Sequence, residues 1–210
     1  MKLKNINSTR IEQAIADFEK EVDFELVPVI AEKSSYVEHI GWLISLVLIL
    51  LFLATIDLLF QDSWASKTAY YVAIPFVAIL LGLFLGRSHR ISRCFISPAE
   101  RSRQVHEKAE RIFFLKHLNE LKKHNSIVIF ISVMERKIVV LPDPRMKLPG
   151  LAEIQQKLIN LIQAEFKKGE FEAGFLKAIA FLKKEMHNTF PQKDSLPVNQ
   201  VSNKLIWWKD

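Results

Sequence analysis

The chain has 210 residues, half of them hydrophobic and a quarter charged, with a net charge of +6 and a mean hydropathy of +0.12. That balance is too polar for a polytopic transporter, and the single cysteine, Cys94, excludes an intrachain disulfide and suits a reducing cytoplasm. The basic excess does not point to nucleic acid: Arg87, Arg90, Arg93, Arg101 and Arg103 gather just past an apolar stretch, where membrane topology and anionic headgroups account for them.

From the start of the chain, Thr9, Arg10, Ile11 and Glu12 form a capping box that opens a helix. Ile11, Ala14, Ile15, Phe18 and Val22 then recur at helical spacing, with Glu12, Asp17, Glu19 and Lys20 around them. Phe24 to Ala31 is rich in branched apolar residues and predicts a strand. Pro28 cannot donate to a ladder, so an edge or locally irregular strand is expected.

Ile40 to Gly86 reads as a pair of membrane-spanning helices, residues 40–60 and 69–86, joined by the polar turn QDSWASKT. A helix rises 1.5 Å per residue against a hydrocarbon core about 30 Å thick, so each run is long enough to cross. A signal peptide is not expected, because a polar, mixed-charge segment of 39 residues comes first. Basic flanks are retained on the cytoplasmic side, so the arginines after the second span place both termini in the cytoplasm. Trp42, Trp64, Tyr70 and Tyr71 fall near the interfaces. Asp57 lies close enough to the turn to reach water. In the second span Ala78, Gly82 and Gly86 are four apart, a smooth groove for close helix packing either by the first span or by another copy in a homodimer.

Cys94 is followed by Arg101 one position too late for a phosphate-binding thiol loop, which leaves it a membrane-proximal residue, inert or acylated. Ser97, Pro98 and Glu100 carry a second capping signal, and a helix is expected as far as about Lys123, with Val105, Ala109, Ile112, Phe113, Leu118 and Leu121 on its apolar face. Ser126 to Val133 is almost wholly apolar, the pattern of a central strand buried on both faces, and Lys137 to Pro142 returns as its hairpin partner. Two further helices follow Gly150 and Gly169: one presents Leu151, Ile154, Leu158, Leu161, Ile162 and Phe166, the other Phe171, Phe175, Ile179, Leu182 and Met186. The tail reads as loop, and Trp207 and Trp208 either dip into the membrane interface or pack on the domain. A helical hairpin returns the chain close to where it left, so the strand before the membrane is expected to pair with one after it.

The stretches HNSIVIFISVMERKIVVLPD, FKKGEFEAGFLKAIAFLKKEMHNTFP and NQVSNKL resemble the TPM domain of bacterial membrane proteins and of phosphatase-like thylakoid proteins. The resemblance is carried by Glu135 and Arg136 at the end of a strand, Asp143 after the next, the Gly169 to Gly174 segment, and Phe190, Pro191 and Asn199. It implies an α/β/α sandwich with a short mixed sheet and, in some members, divalent metal binding or acid phosphatase activity. On this division residues 1–39 hold the first helix and strand of the soluble domain, 40–86 the transmembrane hairpin, 87–190 the rest of the TPM-like domain and 191–210 a C-terminal tail.

Where many relatives carry a Gly-rich acidic loop, this chain has PDPRMKLPG, in which Arg145 and Lys147 dilute the negative charge. A Ca²⁺, Mg²⁺ or Mn²⁺ ion needs several converging oxygens, and the candidate metal or catalytic residues Glu135, Arg136 and Asp143 straddle one strand, with the two carboxylates about 20 Å or more apart. The plainer reading makes Glu135 and Arg136 a solvated turn pair and Asp143, before Pro144, a strand stop. His117 and His124 lack a nearby carboxylate or cysteine to complete a shell and read as surface histidines. Two functions fit: a binding or scaffold module in the cytoplasmic membrane, with the lipid bilayer and a membrane protein as partners, or a divalent-metal-dependent phosphatase acting on phosphate esters.

Overall fold

The computed structural model describes residues 7–59, 64–116, 118–120, 124–191 and 203–208, the side chains of 57, 59, 64–68 and 119 apart. The chain separates into two units. One comprises Met1–Lys33 and Arg103–Asp210, the other Ser34–Ser102.

The first unit is built on a four-stranded mixed sheet in the order Lys137–Pro142 (β3), Ser126–Ser132 (β2), Glu25–Ala31 (β1) and Ile206–Trp208 (β4). Strand β1 (Glu25–Ala31) runs parallel to β2 (Ser126–Ser132), Glu25 opposite Ser126 and Ala31 opposite Ser132. The strand before the apolar hairpin therefore does pair with one after it. Strand β3 (Lys137–Pro142) returns antiparallel to β2. Every residue of β2 is buried, as its unbroken apolar run requires for a strand covered on both faces.

Side chains alternate across the sheet and feed two cores. Leu26, Ile30, Ile127, Ile129 and Ile131 pack with helices α1 (Ser8–Glu21), α6 (Leu151–Lys168) and α7 (Phe171–Met186). Val27, Val29, Ala31, Val128 and Phe130 pack on the other face with Val105, Ala109, Ile112 and Phe113 of helix α5 (Pro98–Leu115). The result is an α/β/α sandwich.

Four local expectations change. Helix α1 begins at Ser8 with Asn7 as its cap and no side-chain cap bond, so Thr9 lies inside the helix and makes no capping box. Helix α5 keeps its cap, since Ser97 Oγ accepts from Glu100 N–H at 3.1 Å, but it stops at Leu115, short of Lys123, and a 3₁₀ turn spans Leu118–Glu120. Leu121 and His117 lie outside the described residues. Strand β1 is internal despite Pro28, because the tail contributes strand β4 (Ile206–Trp208), parallel to it at Val29–Ala31. That ladder starts one residue past Pro28, so the missing donor lies beyond its pairs.

The second unit contains α2 (Glu38–Leu59) and α3 (Trp64–Gly86), two helices long and apolar enough to cross a membrane. A short helix, α4 (His89–Phe95), follows.

Candidate functional site

Glu135 and Asp143 stand at opposite ends of β3 and belong to different surroundings. Beyond β2 the chain continues alongside β1, with Val133 N–H donating to Ala31 O at 3.0 Å and Met134 N–H to Glu32 O at 2.9 Å. The turn closes through Arg136, whose left-handed backbone (φ 56°) lets its N–H reach Val133 O at 3.3 Å. This geometry sends Arg136 outward and folds Glu135 inward, where it is only 2% exposed and accepts a short hydrogen bond from the Ser132 hydroxyl. The solvated turn pair is corrected in part: Arg136 is wet, Glu135 is not. A buried carboxylate must be hydrogen-bonded, and Ser132, itself buried at the end of the central strand, supplies that bond.

Asp143 anchors the loop after β3. Its N–H donates to Ser126 O at 3.0 Å, and its carbonyl accepts from Met146 N–H at 2.9 Å. Its carboxylate is gripped by Arg145: Oδ1 accepts from the backbone N–H at 2.8 Å and from Nε at 3.1 Å, and Oδ2 from Nη2 at 3.0 Å. His124, expected to have no carboxylate nearby, has this one: its Nδ1 stands 3.6 Å from Oδ2. Burial works to raise the Asp143 pKa, but the Arg145 bonds and charge, helped by His124, outweigh it and hold the carboxyl below its ordinary value. Arg145, which in the sequence only diluted charge, is the partner that commits both oxygens of Asp143. Among the described residues no three His, Cys, Asp or Glu side chains gather as metal ligands.

Glu19, which the sequence sets among the polar residues around the α1 stripe, is buried in the structure. It is 8% exposed, with Leu26 N–H 3.5 Å from Oε1. Burial first, and then the Glu25 charge, push its pKa up to about 8, while Leu26 N–H and the Asn203 side chain pull it down. The signal was present: Glu19 lies four residues after Ile15 and eight after Ile11, on the buried stripe.

The other resemblance positions serve packing. Gly169 is the left-handed C-cap of α6 (φ 86°), and a Cβ on Gly174 would meet the Phe166 ring at 2.8 Å. The Phe190 ring packs tilted against Phe24, centroids 5.5 Å apart, its carbonyl accepts from Asp23 N–H, and Pro191 bridges Val22. Asn199 lies outside the described residues.

In the second unit, the Ala78, Gly82 and Gly86 stripe faces α2 of the same chain. Ala78 is fully buried, a Cβ on Gly82 would fall 2.5 Å from Ser45 N, and one on Gly86 2.5 Å from Gly41 Cα. Ser45 Oγ donates to Gly41 O at 2.8 Å and lies 3.2 Å from Ile79 O, a polar tie between the two helices. Cys94 is exposed on α4. The side chains of Asp57 and Trp64 lie outside the described residues.

No family model matches the chain. No curated protein matches it either. Among solved structures, the NMR structure of BA42 protein from the psychrophilic bacteria Bizionia argentinensis is similar over 99% of this chain and 99% of that one, with a TM-score of 0.57 and 17% sequence identity. At that identity the likeness is one of fold.

Proposed function

We propose that the chain is a membrane-anchored, cytoplasm-facing TPM-like domain that works as a binding or scaffold module in upkeep of the membrane and its proteins. The observation that carries this reading is the outward surface of α2 and α3. Leu43, Leu46, Val47, Leu50 and Leu51 of α2, and Val72, Phe76, Val77, Leu80, Leu81 and Phe84 of α3, are all exposed. A core helix of a soluble protein would bury such residues, and a contiguous apolar surface of this size calls for lipid. The arginines past α3 support a cytoplasmic orientation. The sandwich and the quoted TPM-like segments support the domain reading.

A binding role is favoured over hydrolysis by the state of the carboxylates. Asp143 is committed to Arg145, and Glu135 sits at the other end of β3, bonded to Ser132. Metal-assisted hydrolysis needs oxygens free to converge on one ion. The test is phosphate-ester hydrolysis by the detergent-purified full chain, with and without Mg²⁺, Mn²⁺ or Ca²⁺, beside Glu135→Ala and Asp143→Ala. Absence of turnover, with no metal-induced rise in melting temperature, is the expected result. Metal-dependent turnover that a folded variant abolishes would make the chain a phosphatase.

A further inference from the structure

We propose that Arg87 and helix α4 form a docking surface for anionic phospholipid headgroups, the guanidinium groups of Arg87, Arg90 and Arg93 holding lipid phosphates. The proposal rests on the membrane-anchored reading and adds to it a lipid class and the residues that recognise it.

The packing of α2 on α3 fixes the level of this surface. Gly86, the last residue of α3, lies against Gly41 near the start of α2, so the two helix ends stand together. Trp42 (61% exposed) and Tyr36 (75% exposed) belong to that same end, and amphipathic rings of this kind collect at the headgroup boundary. Arg87 follows Gly86 directly, so its charge is held where the hydrocarbon ends.

Helix α4 is then tied to the end of α3 by one side-chain bond. Ser92 is buried, and its hydroxyl donates to the Gly86 carbonyl at 2.8 Å, satisfying one of the orphan acceptors at the end of α3. With Ser92 inward, the residues two positions either side, Arg90 and Cys94, fall on the opposite face, and both are exposed. Phe95 is exposed beside them. The arginines are three apart, and from Arg87 to Ser102 the chain carries one acid, Glu100. Nothing in α4 itself neutralises them.

The chemistry selects phosphate. A guanidinium presents a rigid fork of donors that matches phosphate oxygens two at a time, and it stays charged at any physiological pH. Each basic side chain held near an anionic leaflet adds to the attraction. Soluble acidic partners would have to approach a surface tethered at headgroup height, whereas lipid phosphates are already there.

The experiment reconstitutes the full chain in phosphatidylcholine vesicles carrying a trace of spin-labelled phosphatidylglycerol or spin-labelled phosphatidylcholine, and reads the fraction of label immobilised at the protein. The expected result is a preference for phosphatidylglycerol of about threefold or more at low salt, falling toward parity at high salt as screening predicts. Joint replacement by Arg87→Gln, Arg90→Gln and Arg93→Gln should remove the preference, Arg90→Gln alone should reduce it, and Arg101→Gln should leave it. Arg87 and Arg90 are exposed and Arg93 and Arg101 half-buried, and unchanged helicity and melting temperature verify that the variants fold. Parity in the wild type, or a preference that survives the triple replacement, overturns the proposal. Loss of the preference to inorganic phosphate at matched ionic strength would assign the surface to free phosphate and overturn it too. A chain that fails to float with the vesicles contradicts the membrane anchor itself, which separates the two failures.

Discussion

Glu19 and Glu165 are buried carboxylates on the apolar stripes of amphipathic helices, and their neighbours drive them in opposite directions. Lys177 at 2.7 Å and Lys168 at 3.1 Å reach Glu165 from the surface, and their hydrogen bonds lower its pKa. Glu19 has Glu25 beside it instead, and its pKa rises from 4.5 to about 8. Between those values the folded chain keeps a proton that the unfolded chain has released. The stability that Glu19 contributes should therefore be full below about pH 4.5, decline as pH rises through that window, and level off above it. Glu19→Gln, which copies the protonated acid, should flatten this slope and stabilise the fold at pH 8 by about 2 kcal/mol or more, read from unfolding midpoints across pH. An unchanged slope would show that Glu19 does not carry it. Asp143 has the opposite sign: its depressed pKa contributes stability present at neutral pH and lost as pH falls through the acid range. Asp143→Ala should cost about 2 kcal/mol, because it strips the Arg145 side chain and backbone N–H of their acceptor. Residue-level chemistry was thus the least legible part of the sequence. The sequence grouped Glu19 with the wet residues of α1, and only the fold reveals that it is buried and that no lysine among the described residues meets it as Lys177 meets Glu165.

At the scale of elements the sequence was far more legible, because burial imposes periodicity. The almost wholly apolar run from Ser126 to Val133 identified the central strand, which ends at Ser132, and Gly169 marked the end of α6 through its left-handed cap. Misplaced details were those that depend on distant chain. Pro28 argued for an edge, and the tail, which has no periodicity over three residues, supplied the strand that covers β1. Deleting residues 203–210 should uncover that edge, lower the melting temperature and promote self-association, which light scattering would register. Between α2 and α3 the Gly82 contact leaves no room for a Cβ beside Ser45 N. Gly82→Ile should therefore push the two helices apart, lowering the thermal midpoint in detergent and the yield of a disulfide engineered between α2 and α3. Retention of both would show that the stripe does not set the packing.

The whole molecule is an α/β/α domain whose sequence is interrupted, between a strand and its parallel neighbour, by a pair of long apolar helices. The sequence foretold this order because a helical hairpin brings the chain back close to its point of departure, which leaves β1 and β2 free to pair. The central claim is that this insertion is a membrane anchor. The most direct test is to express the full chain, isolate membranes and extract them with alkaline carbonate. The account predicts that the protein stays with the lipid pellet and enters solution only with detergent. Release into the carbonate supernatant as a folded, monodisperse protein would contradict it, and the exposed leucines and phenylalanines of α2 and α3 would then need a protein partner to cover them.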